Sequence, residues 1–257
     1  MVLFFGGVMK SYENVVVLQS FRNYDVPDWI KICRKSVRQF ASERGYGYEF
    51  MGDEFFDFAP PWIREIYAQN IWSLSDICRL EWIKKCLGEK ADTVIWADID
   101  ILIFDQRHML LNLEKSYGFS YELCFSEKGF YHGLNNAFMF FRRGSDMLDH
   151  YLTLCYERVK MDAYKTVRTG IGPDLLRNMN IDDTHIIHGI TIFNIAMMLT
   201  MFNDPDKRIP YFITNKLKSA VGAANLCLNE RQVFSEEERH KYDFVVEEVS
   251  RALIDKS

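Results

Sequence analysis

The chain has 257 residues, 48% of them hydrophobic and 26% charged, with a formal net charge of −5. That is the composition of a soluble globular protein with a sizeable core, and it excludes a low-complexity or disordered chain. The acidic balance excludes the basic footprint of a nucleic-acid binder, so no nucleic-acid partner is expected. The apolar stretch Val2 to Met9 is too short to cross a bilayer, and no transmembrane helix is read elsewhere. Six cysteines form no C-x-x-C pair, and several fall on apolar helix faces, so reduced core thiols and a cytoplasmic location are expected. The 20 Phe and 13 Tyr suit a large core, which accounts for most of them, and leave some as stacking surface for a base or a sugar.

Asn14 to Phe21 (NVVVLQSF) is the first expected strand, with Gln19 and Ser20 at its polar end. Pro27 to Arg44 has Ile30, Cys33, Val37, Phe40 and Ala41 at helical spacing and ends at Gly45 and Gly47. Tyr48 to Met51 supplies a second strand, which completes a βαβ unit. After the acidic, aromatic stretch from Asp53 to Pro61, Trp62 to Leu87 is expected to be helical, broken at Ser73 to Ser75, with Ser75 as N-cap of the second half. Asp76 and Arg79 then share one face near that helix start. As a surface ion pair they would contribute under about 1 kcal/mol.

Thr93 to Asp105 (TVIWADIDILIFD) organises the chain. Val94 to Ala97 is a short apolar run of the kind buried on both faces of a mostly parallel sheet, and the apolar character resumes through Ile101 to Phe104. On such a strand Asp98 and Asp100 point the same way. Two carboxylates together repel unless a cation sits between them, and hard oxygen ligands favour Mg²⁺ or Mn²⁺. Ligands of open α/β sheets bind at the carboxyl ends of strands, where this pair falls.

Downstream, Tyr121 to Ser126 reads as a strand, and Gly133-Leu134-Asn135-Asn136 precedes the apolar run Ala137 to Phe141. Ser145 opens a helix to about Val159. Thr169-Gly170-Ile171-Gly172-Pro173-Asp174 is a glycine-bearing loop before a short helix, Leu175 to Met179. Ile186 to Ile195 and Tyr211 to Thr214 are late strand candidates. Ser235 to Ser250 is a polar helix with Ser235 and Glu238 as a capping box.

Ser75-Asp76-Ile77-Cys78-Arg79, a helix, and then a strand ending Asp98-Ile99-Asp100 resemble the A-type-fold sugar transferases of glycosyltransferase family 32, the yeast initiating mannosyltransferases and the clostridial glucosylating toxins. Asn135-Asn136-Ala137 resembles their downstream asparagine segment, and Thr169 to Pro173 resembles the T-G-P loop of family 32 with two extra residues. The match covers roughly residues 14 to 176. The family's Gly-Gly and Tyr before the aspartates are replaced here by Gly88, a longer Glu89 to Asp92 insert, and Trp96.

The resemblance implies an α/β, Rossmann-like, single-domain A-type fold over 1–257, with a mostly parallel central sheet flanked by helices. Residues 14–105 would form the nucleotide-binding half and 106–257 the sugar and acceptor half. It implies a hexosyltransferase that moves a sugar from a UDP- or GDP-linked donor to a glycan or other hydroxyl acceptor, with Mn²⁺ or Mg²⁺ and with retention of configuration. Asp100 would bind the metal, and Asp98 the metal and the sugar or ribose. His188 or Asn215 would be the third ligand. Asp76 and Arg79 would hold donor hydroxyls and phosphate, and Gln19, Ser20 and Phe21 would line the nucleotide pocket. Asn135, Asn136 and Asp174 would face the reacting sugar, and Lys216 or Lys218 would neutralise the diphosphate. Two other readings stand beside it. One is a haloacid-dehalogenase-type phosphatase, with Asp182-Asp183 as its late acidic pair. The other is a non-catalytic nucleotide-sugar-binding protein.

Overall fold

The structure is a computed structural model that describes residues 14–126, 129–161, 170–204, 206, 209 and 220–255. Strand β1 (Val15–Ser20), helix α1 (Asp28–Glu43) and strand β2 (Gly47–Met51) form the expected βαβ unit, with β2 parallel to β1. The periodic face of α1 is the buried one: Ile30, Cys33, Val37, Phe40 and Ala41, joined by Trp29.

A 3₁₀ segment (Asp53–Phe58) leads to α2 (Pro61–Ile66) and α3 (Ile71–Glu89). The helical break therefore lies before Ile71 and not at Ser73 to Ser75. The cap is Asn70, whose side chain accepts the Ser73 N–H at 3.3 Å, and Ser75 lies inside the helix. Helix α3 is buried nearly all round, from Ser73 and Leu74 to Cys86 and Leu87, so no apolar stripe marks where it starts.

Strand β3 (Thr93–Ala97) pairs with β1, and the Asp98 N–H donates to the Ala137 carbonyl at 2.7 Å as its last rung. The chain then turns, closed by the Ile101 N–H on the Asp98 carbonyl at 3.1 Å. It continues as β4 (Ile101–Ile103) in a second sheet. The aspartates thus sit on a tight turn between two sheets, not along one continuous strand.

The strand expected from Tyr121 begins earlier, as β5 (Tyr117–Ser126), with a register shift between Phe119 and Ser120. Its partner β6 (Gly129–Arg142) takes Gly133 to Asn136 into the strand. Helix α4 (Asp146–Val159) and short α5 (Pro173–Arg177) follow. The late strand is split into β7 (Ile186–Ile187) and β8 (Ile190–Ile192), and Ile195 opens helix α6 (Ile195–Asn203). Gly189 makes the bend: its φ is +85°, and a Cβ there would lie 1.8 Å from the His108 carbonyl oxygen. Tyr211 to Thr214 lies outside the described residues. Strand β9 (Ala223–Asn225), α7 (Leu228–Arg231) and α8 (Glu236–Asp255) complete the chain. Helix α8 starts with the expected capping box, the Ser235 N–H donating to Glu238 Oε2 at 2.8 Å.

The architecture is mixed α/β. The main sheet has the order β2-β1-β3-β6-β5-β7, and β6 alone runs against the rest; β4-β9-β8 forms the second sheet. Alternation along β3 splits the core. Val94 and Trp96 pack with α3 and α4, while Ile95 and Ala97 face Val37, Phe40 and Ala41 of α1. Among the described residues, no helix is long and apolar enough to cross a membrane. Cys33, Cys78, Cys86 and Cys155 are buried free thiols.

Candidate active site

A cleft of about 450 Å³ opens over the carboxyl ends of β1 and β3. Its floor is built by the residues that the topology forces together there: Asp98 and Asp100 on the turn after β3, Asp76 and Arg79 on α3, and Asn135 and Asn136 on β6. Ser20 and Phe21 line one end, beside Tyr24, Phe55, Phe56 and Trp72. Asn225, Leu228, Asn229 and Gln232 also line it.

Arg79 ties the floor together. Its Nη1 lies 2.9 Å from Asp98 Oδ1 and donates to the Asn136 carbonyl at 3.1 Å, while Nη2 lies 3.2 Å from Asp76 Oδ1. Only 8% of the Arg79 and Asp76 side chains is exposed, so this is no surface ion pair. The guanidinium also stands 5.2 Å from the Trp96 ring, which is stacked with Phe55. Burial alone would weaken the charge on Arg79, but Asp98 and then Asp76 outweigh it and hold the group protonated.

The carboxylates are held by short bonds on one side and left open on the other. Asp98 Oδ1 accepts from Trp96 Nε1 at 2.7 Å as well as from Arg79, and a quarter of its side chain stays exposed to the cleft. Asp100 Oδ2 accepts the Leu228 N–H at 2.8 Å, and the Leu226 N–H donates to its carbonyl at 3.0 Å. Burial raises the pKa of all three acids. Asp76 is pushed up to about 6, against the pull of Arg79 and Asn136. Asp100 is pushed up to about 7, with the charge of Asp98 adding to burial. Asp98 is raised too, with Arg79 opposing.

This donor set fits a divalent cation. Two carboxylates, Asp100 buried and Asp98 partly so, repel each other across one turn, Asp98 Oδ2 has no protein donor among the described residues, and the chemistry is hard oxygen throughout. Among the described residues, no group of three His, Cys, Asp or Glu side chains converges on one point. The segment seated on Asp100 brings Asn225, whose Oδ1 accepts the Cys227 N–H at 3.0 Å.

Several expected site residues take other places. Gln19 is fully buried and outside the cleft. It braces the acidic turn instead, Nε2 donating to the Asp98 carbonyl at 3.1 Å while Oε1 accepts from Tyr48 at 2.9 Å. Asp174 is not brought into the cleft; it pairs with Arg177 at 3.0 Å, and only its neighbour Pro173 reaches the lining. His188 is exposed at the bend before β8, its carbonyl bonded to the Leu110 N–H, and is not brought to the aspartates. Thr169, Asn215, Lys216 and Lys218 lie outside the described residues. The glycine loop does make a close backbone approach, but to the floor itself: a Cβ on Gly172 would lie 2.5 Å from Asp76 Oδ2 and 3.1 Å from Asn136 Nδ2. Asn136 Nδ2 donates to Asp76 Oδ1 at 2.8 Å. Trp96, Asn225 and the Leu228 N–H were not expected from sequence, and only Trp96, as a polar-edged aromatic beside the acids, left a signal there.

No protein-family model matches the sequence, and no curated protein matches it. Among solved structures, one similar chain is a glycosyltransferase involved in the glycosylation of the major capsid of PBCV-1. It is 11% identical with a TM-score of 0.49, over 91% of this chain and 98% of that one. The functional reading therefore rests on the cleft.

Two outcomes follow from the buried charges. Asp100 binds its proton more tightly folded (about 7) than unfolded (3.8), so its contribution to stability is complete below the unfolded value and is lost as pH rises through the folded one. Asp76 has the same sign. In chelator, the melting temperature should fall between about pH 5 and about pH 8, and Asp100→Asn, which keeps the acceptor for Leu228, should flatten that fall. An equal slope in the variant counts against this account of Asp100. Arg79→Ala leaves Asp76 and Asp98 without their cation and should cost about 3–5 kcal/mol, read by denaturant unfolding. A loss below about 1 kcal/mol would return the pair to the surface class.

Proposed function

We propose that this chain is a metal-dependent glycosyltransferase. It would move a hexose from a UDP- or GDP-linked donor to a hydroxyl of a glycan or other acceptor, with retention of configuration, in the cytoplasm. The observation that carries the proposal is the acidic turn at the carboxyl end of β3, set in a cleft with a buried Asp76–Arg79 pair behind it and an aromatic end beside β1.

Asp98 and Asp100 would hold Mn²⁺ or Mg²⁺, and the Asn225 amide oxygen, which also lines the cleft, is a further hard donor that could join them. When bound, such a cation neutralises the diphosphate that leaves as the sugar–phosphate bond breaks. The chain's own residues do the rest. The base and ribose would sit at Ser20 and Phe21, in the half made by residues 14–105. Asp76 and Arg79 would fix hydroxyls and phosphate of the donor. Asn135 and Asn136, from the half made by residues 106–257, would face the transferred sugar, with the acceptor entering past Asn229 and Gln232.

Nothing favours the phosphatase reading. Asp182 and Asp183 are exposed at a 3₁₀ turn before β7, where the Asp182 side chain accepts the Thr184 N–H. Asp98, the would-be nucleophile, already gives an oxygen to Arg79 and Trp96.

Ligand-linked stability tests the proposal. At about 100 times its Kd, a nucleoside diphosphate adds about 2.7 kcal/mol. Each kcal/mol moves the melting point of a chain this size by about 2–4 °C. UDP or GDP with Mn²⁺ should therefore raise it by roughly 5–10 °C, neither alone should do so, and Asp100→Asn should abolish the joint effect. A panel of nucleotide sugars, read by released nucleoside diphosphate, then identifies the donor. A shift with vanadate and Mg²⁺ but with no nucleotide would support a phosphatase. No shift and no turnover with any donor would sink the transferase.

A further inference from the structure

Glu122 lies on β5, opposite Gly133 of β6 and two residues past Ser120 on the same face of the strand. It is 2% exposed. Its Oε2 accepts from Asn135 Nδ2 at 2.5 Å, and its Oε1 lies 3.3 Å from Ser120 Oγ. Ser120 Oγ in turn lies 3.1 Å from the Asn135 carbonyl oxygen. No Lys or Arg pairs with Glu122 among the described residues. A buried carboxylate without a counter-charge is costly, and burial, followed by the charges of Asp98 and Asp100, pushes this one well above the usual range.

The hydrogen bonds agree with a neutral acid. A serine hydroxyl has one proton. If Ser120 gives it to the Asn135 carbonyl, its oxygen is free to accept the Glu122 O–H, and Glu122 Oε2 accepts the Asn135 amide. All three links are then satisfied in one direction. Asn135 Oδ1 is fixed independently, because it accepts the Ala137 N–H at 3.0 Å. The amide is thereby locked. Its oxygen and one N–H are used by the protein, and its second N–H has no partner among the described residues, in a side chain that lines the cleft.

We propose that Glu122 is a positioning residue for transfer. It holds the Asn135 amide so that an N–H, and not a carbonyl oxygen, is offered to an oxygen of the transferred sugar as the bond to the diphosphate breaks. This rests on the transferase reading of the cleft.

The test is a cycle in the full chain: Glu122→Gln, Glu122→Leu, Asn135→Ala, and Glu122→Leu with Asn135→Ala. Gln reproduces the neutral acid, one acceptor and one donor, so Glu122→Gln should keep kcat and its pH profile within about threefold. Glu122→Leu and Asn135→Ala should each lower kcat by about 10- to 100-fold with KM and the nucleotide–Mn²⁺ melting shift nearly unchanged, and the double variant should be no worse than Asn135→Ala. Wild-type turnover in Glu122→Leu, multiplied losses in the double variant, or a Glu122→Gln as weak as Glu122→Leu would each overturn the proposal. Should Glu122→Leu fail to fold, Ser120→Ala breaks the same ring and should lower kcat in the same direction; an unchanged kcat there overturns it equally. The Asn135 side-chain ¹⁵N–¹H₂ signals, assigned by their loss in Asn135→Ala, give a readout without turnover. Their slow exchange should persist in Glu122→Gln and be lost in Ser120→Ala or Glu122→Leu. If the wild type turns over no donor, the transferase reading fails alone, and these signals still decide whether Glu122 holds Asn135.

Discussion

Arg79 stands against Asp76, Asp98 and Asp100, all raised in pKa by burial, in a pocket with Trp96 and Phe55 behind it. With every acid ionised, the cluster carries two negative charges in excess. Charge of that size cannot stay buried uncompensated, because each desolvated ion costs several kcal/mol. The protein has two ways out. It can take up protons, as the raised values of Asp76 and Asp100 express, or a divalent ligand can supply the missing charge. Were a cation held there as proposed, the two would compete for the same oxygens, and cation affinity would rise with pH over the range in which apo stability falls.

The rest of the fold serves that imbalance. Ending β3 at Ala97 and passing the chain to a second sheet exposes Asp98 and Asp100 at a turn, yet pins them through the Ala137 rung, the Gln19 amide and the Leu228 N–H. Uncharged backbone groups and a neutral amide hold the turn at these points without neutralising it. A lysine in any of these places would have fixed the geometry and removed the reason for a cation. Helix α3 supplies Asp76 and Arg79 from one turn, and its burial on all sides fixes their rotamers by packing.

Local pattern revealed what local physics decides. The stripe of α1, the apolar runs of β1 and β3, and the capping box of α8 were all readable, because each depends on neighbours within a few residues. Asp98 and Asp100 stood out as charged groups inside an apolar segment, and Asp76 and Arg79 by their spacing near a helix start and by the motif they resemble. The start of α3 did not, since a helix buried all round has no stripe to end. Gln19 was expected at the nucleotide because it sits at a strand end, but its partner is the Asp98 carbonyl, 79 residues away. Leu226 and Leu228 meet Asp100 through β9 pairing with β4, and Glu122 meets Asn135 across β5 and β6. Register over such separations leaves no mark in a single sequence.

The contrast between Glu122 and the acids of the turn is the last step. All are carboxyls in low-dielectric surroundings, but their partners differ in kind. Asp98 meets a guanidinium and an indole N–H, donors that reward the ionised form, and keeps one oxygen toward the cleft. Glu122 meets a hydroxyl that can accept and an amide that only needs an acceptor, so a proton on Glu122 completes its bonds. Neighbouring carboxylates push a further acid toward its neutral form, and the more charge the turn carries, the more firmly Glu122 keeps its proton. A centre poor in positive charge can thus hold a fourth carboxyl without worsening its imbalance, provided that carboxyl works as a hydrogen-bonding group and not as an ion.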